Sequence, residues 1–357
     1  MEEKMTEEPG LSKSLNLSEE QDYSRDLNLS GRPEFSKGSA LFKGLDIVRS
    51  YFEEYGLPML QAEFSEILPF IAAGLFGSGS ECFGYDDGIS RDHDFEPGFC
   101  LMLPGEEIVD RRTAFLLERA CSKLPREYMG LKRSIPGPVG GPRRGVIRLA
   151  DFLMDKTGTP DGLLTRGQWL ALPQHSLSEL VNGEVFLDNY GELTRIRQIF
   201  SFYPEDIRKK KLAGHLLLMG QSGQYNYRRC LMHGEEAAAQ MAVFEYVKST
   251  MSVLFLLNRR YQPYYKWGFR ALRALPLQAW QAELLEFLIT SHNEENMAEE
   301  KYQVIEGIAS DVIEELSRQE LTRAVCGDLE KHAYSVNDSI EDPELRNMHI
   351  LAGVNDT

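Results

Sequence analysis

The chain lacks paired cysteines, long apolar runs and an excess of basic residues, and each absence narrows what it can be. Its five cysteines, at positions 82, 100, 121, 230 and 326, are scattered, and no C-x-x-C pair occurs. Such spacing supports neither a disulfide framework nor a zinc site, so the thiols read as reduced and mostly buried. No apolar run approaches the roughly 20 residues that a membrane span needs, and the acidic, polar N-terminus holds no apolar signal core. The protein therefore reads as cytoplasmic, with no membrane partner. Asp and Glu number 55 against 39 Lys and Arg, a net charge of −16. Broad, sequence-independent nucleic-acid binding depends on clustered cations and is not expected, although a local basic pocket is compatible with that balance.

What is present is an ordinary globular composition, 42% hydrophobic and 10% aromatic over 357 residues, enough for two domains with their own cores. Residues 1–40 are acidic and poor in large apolar groups, the composition of a disordered tail. Within them Leu15-Asn16-Leu17-Ser18 is echoed by Leu27-Asn28-Leu29-Ser30. Order is expected to begin near Leu41, with Leu45, Val48, Phe52 and Tyr55 at helical spacing and Gly56-Leu57-Pro58 breaking that helix. Residues 59–70 lead into a first strand. Residues 94–103 read as a second strand, 108–123 as a helix, 134–144 as a Pro- and Gly-rich loop and 146–152 as a third strand. Short segments follow, including Gly183 to Asp188. From Pro204 helices dominate, the clearest being 237–257, 280–289 and 302–321. The expected fold is α+β: a small mixed sheet within 41–200, an all-helical bundle over 201–340 and a C-terminal tail over 341–357.

One stretch carries chemistry. Leu75-Phe76-Gly77-Ser78-Gly79-Ser80 puts a Gly-Ser turn after an apolar run; after eleven intervening residues comes Asp92-His93-Asp94. On an extended strand alternate side chains share a face, so Asp92 and Asp94 point one way and His93 the other. Two carboxylates on one face suit Mg²⁺, which takes few protein ligands and completes its shell with water and phosphate oxygens. A glycine-rich turn lets backbone N–H groups approach phosphate. Gly79-Ser80 is the favoured turn, with Gly77-Ser78 as the alternative.

Gly79-Ser80 through Asp94 resembles the nucleotidyltransferase superfamily with the DNA polymerase beta type of fold. Gly79-Ser80-Glu81-Cys82-Phe83-Gly84-Tyr85-Asp86-Asp87 and Ser90-Arg91-Asp92-His93-Asp94 are similar to a poorly characterised two-domain bacterial branch of it. The similarity continues in Tyr203-Pro204-Glu205-Asp206, Gly223-Gln224-Tyr225-Asn226-Tyr227, Leu256-Leu257-Asn258-Arg259-Arg260-Tyr261 and Pro263-Tyr264-Tyr265-Lys266-Trp267. The resemblance implies an Mg²⁺-dependent transfer of an NMP, most simply AMP from ATP, to an acceptor hydroxyl or phosphate. It implies Asp92 and Asp94 as metal ligands and a third carboxylate on the next strand. That strand, Gly145 to Leu149, holds no acid; Asp151 just beyond it is the catalytic candidate, with Glu184 as the other.

Candidate nucleotide contacts beyond the turn are Tyr225, Asn226 and Arg229, which combine stacking, amide and guanidinium groups. Lys266 and Lys210 complete them, the latter within the run Arg208-Lys209-Lys210-Lys211 that otherwise reads as a solvated face. Trp267 reads as structural. The two-domain layout resembles enzymes that adenylylate aminoglycosides, and a charge of −16 favours a cationic small-molecule acceptor over protein or RNA. The alternative is a nucleotide-binding sensor that keeps the turn and the acid pair without turnover.

Overall fold

The computed structural model describes residues 43–87, 96–133 and 144–354. The expected N-terminal tail, Asp92, His93, Asp94 and all but the last residue of the loop expected at 134–144 lie outside the described residues. From Lys43 the chain forms α1 (Gly44–Tyr51), a π-helical turn (Phe52–Gly56) and α2 (Leu57–Glu63) without interruption. The break expected at Gly56-Leu57-Pro58 does not occur. Pro58 falls in the first turn of α2, where its missing N–H is tolerated, and Leu57 N–H reaches back to Phe52 through the widened turn.

The chain continues through β1 (Ala72–Leu75), β2 (Cys100–Leu103), α3 (Arg111–Lys123), the hairpin β3 (Glu127–Tyr128) and β4 (Leu131–Lys132), and β5 (Gly145–Arg148). The third strand is thus shorter than expected. At Leu149 the apolar pattern changes from strand to helix spacing, with Leu149, Phe152 and Leu153 on one face of α4 (Leu149–Thr157). Then come α5 (Arg166–Ala171), α6 (Gln174–Val181), β6 (Glu184–Asp188) and α7 (Glu192–Ile199). The remainder is helical: α8 (Glu205–Met219), a π-helical segment (Gly220–Tyr227), α9 (Arg228–Met232), α10 (Glu236–Leu257), α11 (Tyr265–Leu272), α12 (Gln281–Thr290), α13 (Glu295–Arg318), α14 (Leu329–Asp338), α15 (Pro343–Asn347) and a 3₁₀ turn (Ile350–Gly353). The architecture is α+β, a small mixed sheet followed by helices. Among the described residues no helix is long and apolar enough to cross a membrane.

The sheet order is β5-β2-β1-β6, with β1 antiparallel to both neighbours and β5 parallel to β2. Successive residues of β1 and β2 face opposite sides. Ala73, Leu75, Leu101 and Leu103 pack with α1–α3, while Ala72, Cys100 and Met102 join the core of the C-terminal helices. That second core is continuous across residues 200–204, taking in Ile196, Phe200, Tyr203 and Ile207. A bulge interrupts the β1–β6 register between Ala73 and Gly74. A Cβ on Gly74 would meet Glu184 O at 2.4 Å, so the close approach needs glycine.

The basic run at 208–211 is not the solvated face expected from its sequence. Helix α8 lies at the centre of the bundle, and Arg208, Lys210 and Lys211 are all buried. Each of the four cations ends on carbonyl oxygens where other helices terminate, the groups that an α-helix leaves without partners. Arg208 Nε donates to Leu256 O (2.9 Å) at the end of α10, and Lys209 Nζ to Ser339 O (2.9 Å) just past α14. Lys210 Nζ donates to Met348 O (2.6 Å) after α15 and to Asn337 Oδ1 (2.8 Å). Lys211 Nζ donates to Leu170 O (2.9 Å) in α5 and Gly353 O (3.2 Å). The segment expected as a C-terminal tail is therefore structured through Val354 and held against α8.

A further buried cation makes stability pH-dependent. Lys301 of α13 donates to Gln240 Oε1 (2.9 Å), Asn293 Oδ1 (2.8 Å) and Ser291 O (3.1 Å), all uncharged. Burial lowers its pKa to about 8. The unfolded lysine holds its proton to near 10.5, so between the two values the unfolded state carries more protons and stability from this site rises with pH. The buried thiols of Cys100 and Cys121, pushed up to about 11, act oppositely above pH 9. Comparing wild type with Lys301→Met cancels the thiols. The wild type is expected to gain about 2 kcal/mol relative to the variant between roughly pH 7.5 and 9.5, read by urea unfolding; a difference that stays flat would refute it.

Candidate functional site

The Gly-Ser turn leaves the C-terminal end of β1. Because β1 and β2 are antiparallel and β5 follows β2, the starts of β2, β5 and β6 all come to that end of the sheet. Gly77 (φ +104°) and Gly79 (φ +134°) occupy backbone conformations that disfavour side chains. The N–H groups of Ser78, Gly79 and Ser80 have no acceptor among the described residues. Three successive free amides at a glycine turn form a ready anion seat.

The turn is clamped on three sides. Asn182, between α6 and β6, accepts from Gly77 N–H at Oδ1 and donates to Gly77 O from Nδ2, both at 2.8 Å. Gly183 N–H donates to Cys82 O (2.8 Å). At the start of α1, Gly44 N–H donates to Asp86 Oδ2 (3.0 Å) and Lys43 Nζ to Asp86 O (3.0 Å). From α11, Arg270 donates to Tyr85 O (2.5 Å), and Trp267 packs on Phe83 with ring centroids 5.2 Å apart. Trp267 thus does structural work, as expected. Lys266 lies on the same side, its Nζ 4.3 Å from the Trp267 ring centroid.

Among the described residues, an acid beside the turn is Glu81, and it is already paired. Glu81 Oε1 accepts from Arg144 Nη2 at 2.6 Å, and both groups are nearly buried. Arg144 also donates to Glu96 O and Gly98 O, tying the entry of β2 to the turn. The strand beside β2 therefore delivers a guanidinium to the turn, where a third carboxylate was expected. Asp151 is exposed in the first turn of α4, beyond the opposite end of β5, so the parallel register carries it away from the turn. Glu184 is at the turn end, opposite Leu75, but its carboxylate is paired with Arg49. Among the described residues no group of three His, Cys, Asp or Glu side chains is arranged to hold a metal.

Of the expected nucleotide contacts, Gly79, Ser80 and Lys266 share this end and the others do not. Helix α8 begins beside Leu256, at the end of α10, and runs back along it. The π-helical segment that follows packs on Tyr246, where a Cβ on Gly223 would lie 2.3 Å from the ring. Tyr246 to Leu257 is about 16 Å at 1.5 Å per residue, so Tyr225, Asn226 and Arg229 sit toward the far end of α10. Arg229 Nη1 there donates to Tyr225 Oη (2.7 Å), and Tyr225 and Asn226 line a separate cleft with Gly327, Asp328 and Glu330. Lys210, whose three N–H groups go to Met348 O, Asn337 Oδ1 and Arg346 O, has no donor to spare for phosphate.

Sequence reasoning missed Asn182, Arg144 and Arg197. Arg197 of α7 donates to Val181 O and Asn182 O, each at 2.6 Å, and lies over the Phe76 ring; burial lowers its pKa. The only local signal was Asn182-Gly183, a turn dipeptide. Asn182 also lines a cavity of about 390 Å³ shared by Phe83 and Tyr85 with Arg259, Arg260 and Tyr261, just past the end of α10.

A family model described as a domain of unknown function, DUF4037, matches residues 169–268. That range holds Asn182, Gly183, Arg197 and the cavity's arginines, but not the Gly-Ser turn. No curated protein and no solved structure matches the chain.

Proposed function

We propose that the chain is an Mg²⁺-dependent nucleotidyltransferase that moves an NMP, most simply AMP from ATP, to a small-molecule acceptor. The observation that carries this is the Gly-Ser turn with three amides at 78–80 that have no partner among the described residues, fixed by Asn182 at the end of a small mixed sheet. Such a sheet is compatible with the superfamily that the sequence resembles. The donor set suits the ligand: amides for phosphate oxygens, and Asp92 and Asp94, four and two residues before Glu96 in the sequence, for the metal. Mg²⁺ held there would offset charge on the phosphates during in-line attack. Ser78, Gly79 and Ser80 orient the triphosphate, and Asn182 keeps their N–H groups aimed.

Wild type is expected to show a metal-dependent thermal shift with one or more of ATP, GTP, CTP and UTP. It is also expected to transfer label from the α-labelled nucleotide. Asp92→Asn with Asp94→Asn should lower transfer at least a hundredfold, on the order of 3 kcal/mol of barrier. Equal labelling by the variant would end this reading. Arg144, just before β5, favours the second reading, a nucleotide sensor, whose signature is the metal-dependent shift without transfer.

A further inference from the structure

The cavity beside the turn has a charge opposite to that of the whole chain. No residue that lines it is acidic, and two adjacent arginines line it, in a protein of net charge −16. Arg259 is paired with Glu205 at 2.7 Å and is held at φ +51°, a conformation uncommon for a side chain of its size. Arg260 is exposed and its guanidinium has no partner among the described residues. Tyr261 is only 7% exposed, and its hydroxyl has neither a donor nor an acceptor beside it. A buried, unsatisfied hydroxyl is costly unless something completes it. Apart from Ser178, Asn182 and Ser201 the remaining wall is apolar, with Phe255, Leu275 and the stacked rings of Phe83 and Tyr85, whose centroids are 5.6 Å apart.

We propose that this cavity binds a small anionic ligand, a phosphate or carboxylate on a flat apolar body, with Arg260 and Tyr261 on the anion and the aromatic wall on the body. Guanidinium forks match both oxyanions, and the size suits a small molecule. That this ligand is the acceptor rests on the nucleotidyl-transfer reading; that the cavity takes an anion does not. The cationic acceptor suggested by net charge is displaced, because lining charge acts at contact while net charge is screened over about 8–10 Å.

The test is isothermal titration of the full chain with phenyl phosphate, benzoate and benzylamine. The anions are expected to bind, the tighter of the two naming the oxyanion, and benzylamine is not. Arg260→Met, at an exposed position, should weaken anion binding at least tenfold, and Tyr261→Phe several-fold. Binding of phenyl phosphate should survive Asp92→Asn with Asp94→Asn, and Mg-ATP should leave it unchanged. No anion binding, benzylamine binding as tight, or no effect of Arg260→Met would overturn the site. Mutual exclusion with Mg-ATP would overturn a separate acceptor subsite. If no nucleotide shifts the unfolding temperature while anion binding depends on Arg260, the nucleotide reading fails and the anion site stands.

Discussion

Gly183→Ala is expected to destabilise the protein by about 4 kcal/mol or to keep it from accumulating in soluble form, whereas Gly191→Ala should cost about 1 kcal/mol. Both glycines have positive φ, +62° and +77°, so both substitutions carry the backbone cost of a left-handed residue. They differ in what a methyl group would meet. At Gly191 nothing lies within 4 Å; at Gly183 the Cβ would fall 2.0 Å from Leu75 O. Leu75 ends β1, which is paired on both edges, so that carbonyl has little freedom to retreat. Any retreat would also pull on Gly183 N–H to Cys82 O and on Asn182 against Gly77, the bonds that set the Gly-Ser turn. Urea unfolding of the two variants reads the difference directly, and equal losses would show that the contact is relieved by relaxation.

The same position shows what a sequence can and cannot display. The α+β class, the helices of the second half and the strand entering the Gly-Ser turn were legible because local periodicity encodes them. Gly183 was visible only as a turn residue, since its contact with Leu75 spans more than a hundred positions. The charge run failed for a related reason. Four consecutive cations in a helix point in four directions, which suggests solvent unless the helix is surrounded. Helix α8 is surrounded, and the helix ends that its cations meet come from distant parts of the chain. Among site residues, the turn could be read because its chemistry lies in adjacent positions. Asp151 was chosen by nearness in sequence to β5, but the parallel register of β5 with β2 sends it to the wrong end. Arg144 reaches the turn through that same register, which no local pattern encodes.

The C-terminal segment gives the second large effect. Lys211→Met keeps the aliphatic stem and deletes the ammonium, so Leu170 O and Gly353 O lose a shared buried donor. Two opposing terms set the result. Removing a buried charge relieves its desolvation, which favours the variant. Orphaning a buried carbonyl costs about 1–3 kcal/mol, and here two are orphaned. Hydrogen bonds to a charged donor exceed neutral ones, so the second term wins and the net loss should be about 3 kcal/mol. Lys209→Met should cost well under 1 kcal/mol, since its bond to Ser339 O is exposed and water can replace it. The damage should also be local. The 3₁₀ turn lies directly on α8, where a Cβ on Gly214 would meet Val354 at 2.3 Å, and Lys211 joins that turn to α5. Limited proteolysis of Lys211→Met should therefore cut first after residue 342, before the bundle itself opens. A variant as stable as wild type, with its C-terminal segment equally protected, would mean that the ammonium's desolvation cancels its hydrogen bonds and that Lys210 on Met348 O, together with apolar packing, suffices to hold the segment on α8.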